Sequence, residues 1–286
     1  MCSSDLSTTQ RIRVGSAGVM LPHYASLKVA EQFRVLEAIA PGRIDLGLGR
    51  APGSDGRTAF ALNPNAASAA EHFPAMVRDV LHWLRGETLV EGHPFRDIRA
   101  QPGGPTVPEV WILGSSDYGA QVAAYFGLPF CFAHFITDGR GVEQAMAIYR
   151  DGYRPSERHP TSHAAICVWA MAAETHAEAA RLFSSREMSR LWRDRGVYAA
   201  LPSPEEAAAY AYGPGDLARL ERLRARALYG TPDVVGGKLR ELAAAYDVEE
   251  IAILTTLHEP EARRRSYTLL AKECGLAAPD IPLAAD

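Results

Sequence analysis

Arg11–Gly53 reads RIRVGSAGVMLPHYASLKVAEQFRVLEAIAPGRIDLGLGRAPG. It opens with an apolar run, Ile12–Leu21, whose residues favour a strand. Leu27–Ala40 follows with helical spacing. Val29, Phe33, Val35, Leu36 and Ile39 supply an apolar stripe, with Lys28, Glu31 and Arg34 between them. A second strand-like run, Arg43–Gly49, ends in a glycine-rich loop, Gly47-Leu48-Gly49-Arg50-Ala51-Pro52-Gly53. Strand, helix, strand and loop in this order form a βαβ unit. Its strands are nearly continuous apolar runs, which predicts burial on both faces of a parallel sheet.

The same alternation continues outward. Strands are predicted at Glu109–Leu113, Pro129–Phe135, His163–Ala172 and Glu250–Thr255. Helices are predicted at Ala67–Arg85, Tyr118–Phe126, Gly141–Arg154, Thr175–Arg195 and Glu259–Cys274. This gives an α/β fold with right-handed parallel crossovers. Thr175–Val248 is long, helical in composition and interrupted at Pro202–Pro204 and Gly213–Pro214–Gly215, so it reads as an insertion or lid ahead of the last strand. Ala277–Asp286 reads as a frayed terminus. No linker divides residues 1–286, which read as a single domain. Two architectures fit: an open doubly wound sheet, complete as written, and a (β/α)8 barrel that lacks its first two units.

The bulk numbers narrow the function classes. The chain has 286 residues, 47% hydrophobic and 22% charged, with a net charge of −4. No basic excess is available to neutralise phosphates, which argues against nucleic acid as a partner. No apolar run approaches the roughly 18 residues of a membrane span, and MCSSDLSTTQ has no secretory pattern. The four cysteines, Cys2, Cys131, Cys167 and Cys274, form no CxxC pair. They read as reduced thiols of a cytoplasmic protein, and no metal site is expected.

Three strand ends carry residues that could do chemistry. At Val19-Met20-Leu21-Pro22-His23-Tyr24, a histidine and a tyrosine sit just past a strand, on the edge where parallel α/β sheets place their sites. Arg50, in the glycine-rich loop, could pair with a phosphate, although the loop lacks the dinucleotide spacing and no helix is expected directly after it. Leu113-Gly114-Ser115-Ser116-Asp117-Tyr118-Gly119-Ala120 combines two hydroxyls, glycine and a helix start, which makes an anion site. Side-chain capping by Ser116 or Asp117 is the plainer use of the same residues. His134 shares the ambiguity of His23. His72, His82, His93, His159, His163, His176 and His258 have no neighbours in sequence that suggest a metal. Tyr229-Gly230-Thr231-Pro232 reads as a turn leading into a helix, and Arg263–Arg265 as the solvated face of the last one.

Taken together, VGSAGVMLPHYASLKVAEQF, GRIDLGLGRAPG, WILGSSDYGAQVAAYFGLPF, YGTPDVV and RRRSYTLLA resemble the bacterial luciferase-like flavin monooxygenases, over about Arg11–Leu276. The resemblance implies a (β/α)8 TIM barrel with a helical insertion before the last strand. It implies reduced flavin mononucleotide (FMN), supplied by a separate reductase, and oxidation of a small organic substrate by O2 through a C4a-peroxyflavin. By matching motif, Gly114, Ser115, Ser116, Tyr118 and Gly119 would bind the flavin phosphate and Arg50 the phosphate or ring. Ala17–Gly18 matches the non-prolyl cis peptide that faces the flavin ring, and His23 and Tyr24 would contact substrate or the peroxyflavin. A homodimer is the assembly considered. The alternatives are a deazaflavin (F420)-dependent hydride-transfer enzyme on the same barrel and a non-catalytic flavin-binding fragment. Against the family pattern, the first two βα units and a Glu-His-His sequence are missing from this chain, and MCSSDL is not expected to supply a helix. The expectation is a truncated barrel with exposed strand edges, poor solubility and weak flavin binding.

Overall fold

The computed structural model describes residues 3–276. The chain divides into two compact units, one running to Ala133 and including Arg140–Ala165, the other made of His134–Gly139 and the chain from Ile166 onwards.

The first unit begins with α1 (Ser3–Thr8), so the leader that was not expected to be helical does form a short helix. Its end is held by Arg43, whose guanidinium donates to the Thr9 carbonyl at 2.8 Å and the Thr9 hydroxyl at 2.7 Å. Then come β1 (Val14–Met20), a 3₁₀ turn (Leu21–His23), α2 (Ser26–Ile39), β2 (Ile44–Gly49), α3 (Gly56–Leu62), α4 (Ala66–Glu71) and α5 (Phe73–Arg85). They are followed by β3 (Glu109–Gly114), α6 (Asp117–Phe126) and β4 (Phe130–Phe132), and, past α7 (His134–Thr137) of the other unit, α8 (Val142–Asp151). β1, β2, β3 and β4 pair in parallel in that order. Met20 lies opposite Gly49, Gly49 opposite Leu113 and Gly114 opposite Phe132, so the C-terminal ends are level.

The core of this unit is fully buried Ile44, Leu46 and Leu48 of β2, Ile112 of β3, and Phe130 and Phe132 of β4. Each such side chain contributes about 1.5–3 kcal/mol by leaving water. β1 departs from the expectation of burial on both faces: Gly15, Ala17 and Gly18 are exposed, and among the described residues it pairs with β2. The buried face of α2 is also rotated from the predicted stripe. Val29, Ala30, Phe33, Arg34 and Glu37 are buried, whereas Val35 and Ile39 are exposed. Arg34 and Glu37 can be buried because backbone groups satisfy them. Arg34 donates to the Leu84 and Pro102 carbonyls, and Glu37 accepts from the Gly42 amide at 2.8 Å. The single helix expected over Ala67–Arg85 is two, α4 and α5, because Pro74 sits in the first turn of a new helix and supplies no donor to the one before.

The second unit takes up β5 (Ala164–Ala172) from Ile166. It continues with α9 (His176–Asp194), α10 (Pro204–Ala209), α11 (Pro214–Arg224), β6 (Leu228–Gly230), α12 (Pro232–Tyr246), β7 (Glu250–Leu254) and α13 (Pro260–Glu273). β6 pairs in parallel with β5, Met171 opposite Tyr229, and β7 also pairs with β5. The stretch read as a helical insertion therefore contains a strand. Three residues are too few to show a pattern in sequence. Pro204 and Pro214, read as breaks, stand at the first position of α10 and α11, with Ser203 and Gly213 as the N-caps. Trp169, Met171 and Ala173 pack against Ala179, Leu182, Phe183, Leu223 and Leu257. Phe183 stacks on Tyr229, with ring centroids 4.4 Å apart. The RRRSYTLLA segment sorts itself by role. Its arginines are exposed, the Ser266 hydroxyl accepts from the Ala172 amide at 2.9 Å, and the Tyr267 hydroxyl accepts from Thr255 at 3.0 Å.

Candidate active site

The level C-terminal ends of β1, β2 and β3 bring three of the sequence motifs to one edge of the first unit. At β1 the Ala17–Gly18 peptide is cis, at the position the resemblance implied. The pairing register slips between Ser16 and Val19. The backbones are so close here that side chains do not fit. A Cβ on Gly18 would lie 2.6 Å from the Gly47 carbonyl oxygen, and one on Gly47 would lie 2.5 Å from that of Ser16. Glycine is thus required on both strands, and the floor of the edge is main chain.

The 3₁₀ turn after β1 places His23 inside, 8% exposed, and leaves Tyr24 out, 48% exposed. His23 Nε2 is 3.1 Å from the Pro52 carbonyl. A carbonyl can only accept, so Nε2 carries the proton of this bond and the neutral ring offers Nδ1 as an acceptor. Nδ1 is buried and has no partner among the described residues. Together with Met20, whose sulfur occupies the space a Cβ on Gly53 would need, this bond pins the Arg50–Gly53 loop against the end of β1. Gly53 adopts φ +67°, which an L side chain takes up only at a cost.

Two helices follow this loop, α3, which the sequence reading did not include, and α4, which it joined to α5. Asp55 caps α3 by accepting from the Arg57 and Thr58 amides at 2.9 and 3.2 Å. Asn63, between α3 and α4, donates to the Pro22 carbonyl at 2.8 Å, so the pair is tied to the His23 turn. An Asp ahead of a helical stretch and an Asn before Pro64 were the available signals.

Arg50 and Tyr118, assigned separately to cofactor binding, meet: the guanidinium carbon is 4.1 Å from the Tyr118 ring centroid. At the start of α6, Ser116 is the N-cap residue with extended backbone, but its side chain makes no capping bond. Asp117 does not cap either; it accepts from Gln144 Nε2 at 2.8 Å. The plain capping reading is therefore not what these residues do. The Ser115 and Ser116 hydroxyls and the first amides of α6 remain without side-chain partners among the described residues. Gly114 and Gly119 let the helix start close to the strand end, since a Cβ on either would lie 3.3 Å from the Cα of the other. Two hydroxyls, helix N-terminal amides and a cation without a carboxylate thus stand together at this edge, the groups that anion binding calls for. Among the described residues no cluster of His, Cys, Asp or Glu has the makings of a metal site, and no helix is long and apolar enough to cross a membrane.

A parallel α/β sheet whose strands end level, at a helix start and a main-chain floor, defines the class, an α/β scaffold that carries its candidate site at the C-terminal ends of its strands. The family model for luciferase-like monooxygenases matches residues 2–248, and the chain belongs to that family. It is 36% identical over 265 residues to the luciferase-like monooxygenase of Escherichia coli (strain K12), covering 92% of this chain and 77% of that one. It is 32% identical over 265 residues to the N-acetyl-S-alkylcysteine monooxygenase of Bacillus subtilis (strain 168), covering 93% and 78%. The crystal structure of apo-MsnO8 superposes with a TM-score of 0.85 at 33% identity, covering 96% of this chain and 81% of that one.

More distant likenesses show the fold alone. One is the oxygenating constituent of 3,6-diketocamphane monooxygenase from Pseudomonas putida, a complex with FMN, at TM-score 0.61 and 18% identity over 95% of this chain and 81% of that one. Another is the coenzyme F420-dependent tetrahydromethanopterin reductase of Methanopyrus kandleri, at TM-score 0.59 and 16% identity over 94% and 84%. Structural neighbours thus bind FMN or F420.

Proposed function

We propose that this chain is the oxygenase of a flavin-dependent monooxygenase on a (β/α)8-type scaffold, using FMN reduced by a separate reductase to oxidise a small organic substrate. The observation that carries the reading is the open start of α6: hydroxyls of Ser115 and Ser116 unused, Asp117 turned to Gln144, and Arg50 held above Tyr118. These residues fit a phosphate monoester, which needs amide and hydroxyl donors and one cation. When bound, reduced flavin supplies the electrons that activate O2.

The chain's own residues do the rest. Gly114, Ser115, Ser116 and Gly119 hold the phosphate, and Arg50 neutralises it from the rim, oriented by the Tyr118 ring. The Ala17–Gly18 backbone, with no side chain to obstruct it, gives a flat surface for a planar ring. His23 offers Nδ1 as the buried acceptor toward substrate, and exposed Tyr24 beside it shapes the entrance. The α3–α4 pair is tethered beside that entrance through Asn63.

The test is an anaerobic titration with reduced FMN, followed by air in the presence of thioether and ketone substrates. Saturable binding that weakens in Ser116→Ala, with oxygen uptake coupled to substrate oxidation, supports the proposal. Binding of F420 in preference to FMN, or FMN binding indifferent to Ser116 and Arg50, overturns it.

A further inference from the structure

The second unit contains a small recess of about 20 Å³, open to solvent, with His134, Phe135, Asp138, Trp169, Arg186 and Leu223 in its wall. It shares no residue with the site proposed above. Arg186 rises from the middle of α9, and its guanidinium carbon lies 4.2 Å from the centroid of the Trp169 ring. The indole covers one face of the guanidinium and leaves its N–H edge for acceptors in the plane. Among the described residues no hydrogen bond or ion pair engages that edge.

The charges around it do not supply a counter-ion. The one carboxylate in the wall, Asp138, is committed to Arg190, from which its Oδ2 accepts at 3.1 Å. Arg226 also lines the recess. Burial, then Arg190 and Arg193, pull the Arg186 guanidinium down to about 9, with Asp138 opposing. Burial holds the His134 imidazole below its ordinary range, so it is neutral near pH 7 and competes as neither anion nor cation. A partly buried, stacked guanidinium whose N–H edge meets only solvent gains a charge-assisted contact when an anion replaces that water.

We propose that this recess is a second ligand site that takes the carboxylate of a small organic acid, bidentate on Arg186, with its hydrocarbon against Phe135, Trp169 and Leu223. A planar two-oxygen edge matches the guanidinium fork. The apolar side of the wall favours an anion that carries a hydrocarbon over inorganic phosphate, which has none to bury.

The experiment is calorimetric titration of the full chain with hexanoate, hexanol and inorganic phosphate. Hexanoate is expected to bind saturably, hexanol not to, and Arg186→Gln to weaken hexanoate by about tenfold or more. A second measurement needs no variant: phenylglyoxal modification of Arg186 in the wild-type chain, read by peptide mass, slows when hexanoate is present. Equal hexanoate binding in wild type and Arg186→Gln, no saturation by about 50 mM, no protection of Arg186, or phosphate binding tighter than hexanoate would each overturn the proposal.

Discussion

The guanidinium of Arg50 stacks on the ring of Tyr118 with its carbon 4.1 Å from the centroid, joining the loop after β2 to the first turn of α6. The ring fixes the direction of the cation without neutralising it, so the charge stays available to a ligand at the helix start. Arg50→Ala is expected to weaken reduced FMN binding about tenfold or more, from the loss of one charge-assisted contact. Tyr118→Phe, which keeps the ring, stays within about threefold of wild type. Fluorescence titration reads both. Arg50 is exposed, so urea midpoints should not move; a large shift would mean that the arginine is structural.

The main-chain floor makes a stability prediction. Gly47→Ala drives a Cβ to 2.5 Å from the Ser16 carbonyl and 2.7 Å from Leu113 Cδ1, and is expected to cost about 2–3 kcal/mol. Gly42→Ala is the control. Nothing lies within 4 Å of its added Cβ, and only its φ of +73° opposes the change, so about 1 kcal/mol is expected. Denaturant unfolding of the two variants should separate collision from backbone preference.

Glu187 is buried, with side-chain exposure of 4%, and is gripped by Arg224 through contacts of 2.5 and 2.9 Å. The carboxylate is buried but Arg224 is half exposed, so water can partly replace the cation and Arg224→Ala is expected to cost about 1–2 kcal/mol. Arg224→Ala combined with Glu187→Gln should recover more than half of that loss. A double-mutant cycle with no coupling energy would contradict the buried pair.

Burial lowers the His134 pKa below its ordinary 6.5 and raises that of the Cys167 thiol to about 11 from 9.0. The signs differ in consequence. For His134 the folded state prefers the neutral ring, so its contribution is present above about pH 6.5 and is lost as pH falls through the folded value. For Cys167 the folded state prefers the neutral thiol, so its contribution is full below pH 9 and is lost as pH rises toward 11. Melting temperature against pH should flatten on the acid side in His134→Gln and on the alkaline side in Cys167→Ala. With a thiol-reactive disulfide at pH 8, exposed Cys274 should react well before Cys167.

The sequence carried the strand ends well and the helix faces less well. Arg43–Gly49 and His163–Ala172 are uniformly apolar, and β2 and β5 are buried as such runs require. Val35 and Ile39 looked like core positions because apolar residues were weighed without the backbone acceptors that let Arg34 and Glu37 go inside instead. β6 was missed because Leu228–Gly230 is too short to show a period. Strand-end position puts His23, Arg50 and Ser116 forward as candidates, and the structure gathers them at one edge of the first unit. The contacts that give them meaning were not legible. Nothing local in the sequence places Arg50 on Tyr118, Asn63 on the Pro22 carbonyl, or Pro52 against His23.

The thioether of Met20 fills the space beside Gly53 so completely that even one added carbon would collide with it. Oxidation of that sulfur would turn an apolar filler into a polar one. If the proposed oxygen chemistry runs at this edge, each stray peroxide would threaten the residue that seats the Arg50 loop. Working lifetime would then be counted in turnovers rather than hours, and repair by methionine sulfoxide reductase would restore it.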